Sequence, residues 1–342
     1  MKNKDIQWVN VWERVEDNPS LFFFIIVGQR GDGKTYGALK PLALEQYDGK
    51  FIYLRKTQTV IENACTDALN PFKALNRDLG TDVRMEADHE AITIVKGQDE
   101  DKRIIGYAAA LTTQGKIKGV DYSDVNYIIY DEFMEGGGRR IMKNEAMALF
   151  NFYETVNRNR EFNGEDPVKV ILMGNSETLN NDIIDTFQLA DKVYDMKQGK
   201  YSKNDHIYTD EEKGLYFELV KGGRFAELKK ETALYKLTKG TEFYDFALAN
   251  NFTGDYMGDV ERYKAHDLEP IACLTNIYFY RIKSTGNIYV TYRKSNCKKY
   301  SEQQLQAFRS DYGMMLLNAD SRDKIRYADM NIKLKLDRIL EK

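Results

Sequence analysis

The sequence predicts an α/β fold with a parallel central sheet, followed by a small α+β module. Three observations carry that prediction. Seven consecutive apolar residues, Leu21–Val27, run into glycines and then a lysine-threonine pair. A second apolar strand, starting at Val125, ends in adjacent acids. A third, Val168–Met173, ends in Gly174-Asn175-Ser176. Continuous apolar runs of this kind read as strands buried on both faces, as in a parallel sheet.

The first run carries the chemistry. After Val27 the pattern G-x-x-x-x-G-K-T is complete as Gly28, Gln29, Arg30, Gly31, Asp32, Gly33, Lys34 and Thr35. This is the Walker A phosphate loop in its strand-loop-helix context. Glycines let backbone N–H groups curl around a phosphate without Cβ clashes. The helix that starts at Lys34 adds partial positive charge beneath the anion. Lys34 is expected to bridge the β- and γ-phosphates of ATP, and the Thr35 hydroxyl to ligate Mg²⁺.

Length and composition suit one large domain and a smaller one: 342 residues, 42% hydrophobic, with 23 Tyr, 17 Phe and only 5 Pro. The net charge of −3 does not announce a nucleic-acid binder. The charge is uneven, however. Residues 257–342 hold 16 Lys+Arg against 11 Asp+Glu, an excess of five that leaves −8 for the rest. A basic tail points to a polyanion partner or to an ordinary solvated surface. Cys65, Cys273 and Cys297 are odd in number and far apart, which argues for reduced thiols and against a disulfide frame or zinc site. The polar first twenty residues give no signal peptide, and no apolar run approaches membrane-spanning length.

Taken in order, residues 1–20 read as a short helix or arm, with Trp8, Val9 and Trp12 covering the core or stacking near the nucleotide. Phe51–Leu54 reads as a strand ending in Arg55-Lys56, and 58–78 as a polar helix. Alternation over 91–95 and 104–108 predicts a strand pair. The loop 112–119 carries Lys116 and Lys118. Val125–Glu132 is then a Walker B element. Asp131 is expected to hold Mg²⁺, and Glu132 to orient and polarise the attacking water. An acid directly after the Walker B Asp, and about 95 residues between the motifs, point to the P-loop NTPases with an additional strand between Walker A and Walker B.

Gly136–Gly138 reads as a hinge. A helix over 143–157 places Met147, Phe150, Tyr153 and Val156 on one core-facing stripe. It ends in Asn157-Arg158-Asn159-Arg160. The two arginines suit a helix C-terminus electrostatically, and equally suit an arginine finger for a neighbouring subunit's γ-phosphate. Asn175 reads either as a γ-phosphate sensor or as a left-handed turn residue. Residues 186–196 read as one more strand and 197–242 as a charged connector. In the tail, Ile271–Arg281 and Asn287–Arg293 form a hairpin around Lys-Ser-Thr-Gly, with helices over 301–308 and 321–340.

Several segments together resemble one family. Gly28–Thr35, Phe51–Arg55, Ile129–Phe133, Thr155–Glu161, Met173–Ser176 and Gly240–Phe243 occur in order and are similar to the DNA-packaging ATPases of small tailed phages, the phi-29 type. The similarity spans about residues 20–256 and continues loosely beyond. The resemblance implies a P-loop ATPase domain of the additional-strand (ASCE) class over 1–226, a linker over 227–256, and a C-terminal domain over 257–342 resembling a degenerate ribonuclease-H-like nuclease. It implies a homomeric ring, a pentamer by family resemblance, at the portal of an empty prohead in the host cytoplasm. That ring pumps double-stranded DNA inward using ATP and Mg²⁺, with no membrane involved. The family's trans-acting finger falls on Arg158, with Arg160 in reserve. A basic residue before Walker B falls near Lys118. No Asp or Glu lies in Ile271–Arg281, so no nuclease activity is expected. Lys298, Lys299, Arg322, Lys324 and Arg326 are candidate contacts to a structural packaging RNA. The alternatives are another P-loop DNA motor, of helicase or conjugation type, and a nucleotide-dependent assembly switch.

Overall fold

The computed structural model describes residues 8–87, 91–113, 121–134, 142, 144–176, 179–197, 206–221, 224–241, 244 and 259–340. Lys116, Lys118, Gly136–Gly138, Gly222, Gly223, Glu242 and Phe243 lie outside the described residues. The chain divides into two compact units, Met1–Thr178 with Tyr201–Thr253, and Leu179–Lys200 with Gly254–Lys342.

The first unit is built on a nine-stranded sheet. Helix α1 (Val11–Asp17) precedes β1 (Phe23–Gly28), α2 (Lys34–Ala43), β2 (Lys50–Arg55), α3 (Gln58–Ala64) and α4 (Lys73–Leu79). Then come β3 (Val83–Ala87), β4 (Ile92–Lys96), β5 (Arg103–Ala110), β6 (Val125–Asp131), α5 (Glu145–Asn157) and β7 (Lys169–Asn175). The strand order is β3-β4-β5-β2-β6-β7-β1, continued by two later strands. β2, β5, β6, β7 and β1 run parallel, and β3 and β4 add an antiparallel edge. β7 therefore lies between the strand entering the glycine loop and the strand ending in acids. That is the additional-strand architecture, and all six residues of β1 are buried as expected of a central parallel strand.

Several expectations are corrected. The polar helix over 58–78 is two helices, α3 and α4, because Pro71 disfavours helical geometry at Asn70. The stripe proposed for α5 holds only in part. Val156 is buried as expected, and Phe150 and Tyr153 are half-buried against Phe22 and Phe23, but Met147 is 60% exposed, and Ala148, Leu149 and Phe152 supply the rest of the buried face. Residues 190–197 form helix α7 (Ala190–Lys197), following α6 (Asp182–Thr186), rather than a strand. Its buried Ala190, Val193 and Met196 recur at a spacing of three, a helical period.

The supposed connector contains β8 (Ile207–Asp210) and β9 (Leu215–Leu219), then α8 (Arg224–Lys230) and α9 (Ala233–Leu237). β9 pairs parallel with β1 and is buried throughout, including Glu218. That charge hid the strand in the sequence. It is satisfied by Arg14 of α1, whose guanidinium donates to both carboxylate oxygens at 2.9 and 3.0 Å, and by the Tyr216 hydroxyl at 3.0 Å.

The second unit is α+β. Its sheet has the order β13-β10-β11-β12-β14, from β10 (Leu268–Leu274), β11 (Ile277–Ile282), β12 (Ile288–Thr291), β13 (Lys298–Tyr300) and β14 (Ile325–Tyr327). β11 and β12 form the expected hairpin. The expected strand over 271–281 is instead two, because the chain turns at Thr275, whose φ is +57°. β10 thus begins earlier than expected and does carry one carboxylate, the exposed Glu269. The helices Leu305–Asp320 and Met330–Leu340 supply Phe308, Leu316, Ile332 and Leu336 to one core with the sheet.

Candidate active site

The C-terminal ends of β1, β6 and β7 meet, since Gly28 pairs with Asn175 and Asp131 with Met173. Parallel α/β sheets bind ligands at this edge. Gly31 and Gly33 have φ of +82° and +86°, so the loop turns where only glycine is unstrained. Trp8 packs on the outside of Gly33, where an added Cβ would come within 2.6 Å of its ring. Residues 30–36, Asp131, Glu132 and 173–175 line a cavity of about 220 Å³.

Lys34 is only 6% exposed. Its ammonium donates to the Gln29 carbonyl at 2.8 Å and the Asp32 carboxylate at 2.9 Å, and approaches Asn175 Oδ1 at 3.5 Å. Asn175 closes β7 and is not among the positive-φ residues, so the left-handed-turn reading is set aside. Thr35 Oγ1 donates to the Asp131 carboxylate, with its two oxygens at 3.0 and 3.1 Å. An octahedral Mg²⁺ with bonds of 2.0–2.1 Å sets neighbouring ligand oxygens about 2.9 Å apart, so this donor pair fits that ion.

Around the acids stands a network that sequence reading did not assign. The register Leu54↔Tyr130 brings Arg55 against Asp131. Arg55 forms ion pairs with Glu132 and, at 3.9 Å, with Asp131, and donates to the Tyr53 hydroxyl at 3.1 Å. Tyr53 donates to Asp131 at 3.0 Å. Burial pushes the Asp131 carboxyl up and adjacent Glu132 adds to this, while Arg55 and the donated hydrogen bonds oppose it. Burial likewise raises Tyr53 far above its usual range. Glu132 itself sits at a φ of +55° just past the strand. Next to it, buried Lys56 donates to the Phe133 carbonyl at 3.0 Å and pairs with fully buried Glu145 of α5 at 3.3 Å. The signal for Arg55 is its place at the end of a strand, but only the strand order reveals which strand it faces.

Arg158 and Arg160 are not brought to this edge. Arg160 is tied to Asn126 Oδ1 at 3.0 Å and the Ser123 carbonyl at 2.8 Å, where β6 begins. Arg158 lies 3.9 Å from Asp121, also before β6, and its side chain is 51% exposed. β6 has seven residues, so its two ends are about 20 Å apart at 3.3 Å per residue. Arg158 also caps α5 through its own N–H on the Glu154 carbonyl at 2.9 Å.

In the tail, Lys298 is held by Asp311 at 2.7 Å and Arg326 by Glu261 at 3.2 Å. Lys299, Arg322 and Lys324 are exposed.

Residues 10–314, which include the phosphate loop and the paired acids, match one family model, the podovirus DNA encapsidation protein (Gp16). The chain belongs to the podovirus DNA encapsidation family. The family match runs well past residue 256 into the tail. Among curated relatives, the chain is 29% identical over 244 residues to the DNA packaging protein of Bacillus phage phi29, covering 69% of this chain and 64% of that protein. It is 27% identical over 236 residues to the DNA packaging protein of Bacillus phage B103, covering 67% and 64%. The match thus spans under two thirds of these relatives' length. Among solved structures, the fold resembles a chain of the bacteriophage phi-29 viral genome packaging motor assembly. The TM-score is 0.63 at 18% identity, with 97% of this chain and 99% of that one covered. It also resembles the phi-28 gp11 DNA packaging motor, with TM-score 0.56, 18% identity and 95% of each chain covered.

Proposed function

We propose that this encapsidation-family chain is the ATP-hydrolysing subunit of a motor that drives viral double-stranded DNA into a preformed prohead. One observation carries the reading: Lys34, the Thr35–Asp131 pair, Glu132 and Asn175 converge on a glycine-lined cavity at one sheet edge. Family membership and the names of the relatives support the DNA cargo.

Each residue has a task. The backbone of Gly28–Thr35 and the Lys34 ammonium bind the β- and γ-phosphates of ATP. Thr35 and Asp131 would hold Mg²⁺, directly or through water, and the ion would neutralise charge developing on the phosphates. Glu132 accepts a proton from the attacking water and orients it. Asn175 senses the γ-phosphate from the end of β7. Arg158 faces the opposite sheet edge and acts on a neighbour's site, which calls for a homomeric ring, a pentamer in our reading. DNA is gripped through phosphates, because a packaging motor must be indifferent to sequence. The ring works in the host cytoplasm at the portal, and exposed Lys299, Arg322 and Lys324 are the tail residues best placed for a packaging RNA. No helix among the described residues is long and apolar enough to cross a membrane. We assign no nuclease activity to the tail, because β10 carries the single exposed carboxylate Glu269 where a two-metal site needs several.

We divide the chain by role into an ATPase domain over 1–226, a linker over 227–256 and a C-terminal domain over 257–342.

The test is purified protein with proheads, ATP and DNA, read as DNA protected from nuclease and as phosphate released. Wild type should protect DNA only with ATP present. Glu132→Gln should bind nucleotide but hydrolyse it at least about 100-fold more slowly, the usual scale for loss of a general base. Hydrolysis by Glu132→Gln at the wild-type rate would remove Glu132 from the mechanism.

A further inference from the structure

Asp32 is an unusual side chain to find inside an anion-binding loop. The loop is made to receive phosphate, yet here a carboxylate is folded into it. Asp32 is 9% exposed. One of its oxygens takes the Lys34 ammonium at 2.9 Å, the same ammonium assigned to phosphate. The other, Oδ2, is buried without a hydrogen-bond partner. A Cβ built on Gly28 would sit 2.4 Å from Asp32 Oδ2 and 3.4 Å from Lys34 Nζ. The carboxylate therefore lies against the start of the cradle, beside the lysine tip. Across the loop, Lys229 of α8 donates to the Arg30 carbonyl and feels the Asp32 charge.

With one of the ammonium's three N–H donors on the Gln29 carbonyl and one on Asp32, too few remain to bridge two phosphates, and the carboxylate charge beside it repels an incoming phosphate. A buried carboxylate oxygen without a partner is also costly, so the seated position is one the side chain leaves readily when a better anion arrives.

We propose that the Asp32 carboxylate is a tethered competitor of phosphate for Lys34, which the incoming nucleotide must displace. Asp32 thereby sets nucleotide affinity through its ion pair with the buried Lys34 ammonium. The proposal rests on the nucleotide-binding reading above and adds to it a residue that tunes that binding.

The test is titration of the full chain with Mg²⁺–ADP and, separately, inorganic phosphate, comparing wild type with Asp32→Asn and Asp32→Ser. Thermal melting serves as a check on folding. A competing closed state lowers apparent affinity by the fraction of molecules that are open, so removing the competitor should tighten ADP binding about tenfold, and phosphate binding in the same sense. Unchanged or weaker binding in both folded variants would overturn the proposal and leave nucleotide binding intact. Two variants that no longer fold would make Asp32 a structural counter-ion and overturn it equally. A wild-type chain that binds neither probe would instead overturn the nucleotide reading itself.

Discussion

Arg55 holds a demanding electrostatic position in the first unit. It is the cation for two adjacent carboxylates, and its own side chain is largely buried. Arg55→Ala would leave Asp131 and Glu132 side by side without a counter-charge. Breaking a buried pair from one side typically costs about 3–5 kcal/mol, and the exposure of Glu132 reduces that here to about 2–3 kcal/mol. If Asp131 holds Mg²⁺ as proposed, the ion would replace the lost charge there, and added Mg²⁺ should raise the melting temperature of Arg55→Ala more than that of wild type. Equal Mg²⁺ shifts would show that Arg55 does not neutralise the acid proposed to hold the metal. The sequence made Gly28, Lys34, Thr35, Asp131 and Glu132 legible because each belongs to a spacing that phosphate chemistry requires. Arg55 and Tyr53 belong to no such spacing. Their roles come from β2 lying beside β6, a long-range fact that local pattern does not contain. Asp32 was legible as a loop member, but not as the partner of Lys34.

Strands β1, β2, β6 and β7 were readable because fully buried parallel strands are apolar throughout. β9 was not, because Glu218 interrupts its run and is neutralised by Arg14, 204 residues earlier in the chain. Helix α5 shows how a correct element can carry a partly wrong face. Met147 lies about 200° around the helix from Leu149 at 3.6 residues per turn, and the expected spacing of three drifts from the exposed side at Met147 to the buried side at Val156. In the fold, Leu149 is fully buried and Met147 is 60% exposed. Leu149→Ala should therefore cost about 2–4 kcal/mol, the scale of a core cavity. Met147→Ala should stay within about 0.5 kcal/mol as an ordinary surface change. Denaturant midpoints of the two variants check this, and similar losses for both would contradict the observed phase. Helix α5 also links the site to the far edge. Its first residue, Glu145, pairs with Lys56 beside the Walker B loop, and its C-terminal cap is Arg158.

Placing Lys34 and Arg158 at opposite ends of the same strands has a consequence for the assembled protein that a single subunit does not reveal. If Arg158 serves a neighbour, each working site needs Lys34 from one subunit and Arg158 from the next, a head-to-tail interface that closes into a ring. Lys34→Ala rings and Arg158→Ala rings should each hydrolyse ATP poorly. Mixed before assembly in equal amounts, they should regain activity. A site works only where an Arg158→Ala subunit, with intact Lys34, stands next to a Lys34→Ala subunit, with intact Arg158. Random assembly in a head-to-tail ring places them so at about a quarter of interfaces, so phosphate release should return to about a quarter of the wild-type rate. A finger acting within its own subunit gives no recovery at any ratio. An Arg158 with no catalytic part leaves Arg158→Ala rings fully active before mixing. The recovery curve against mixing ratio should peak at equal amounts and vanish at both ends, a shape that neither rival arrangement produces.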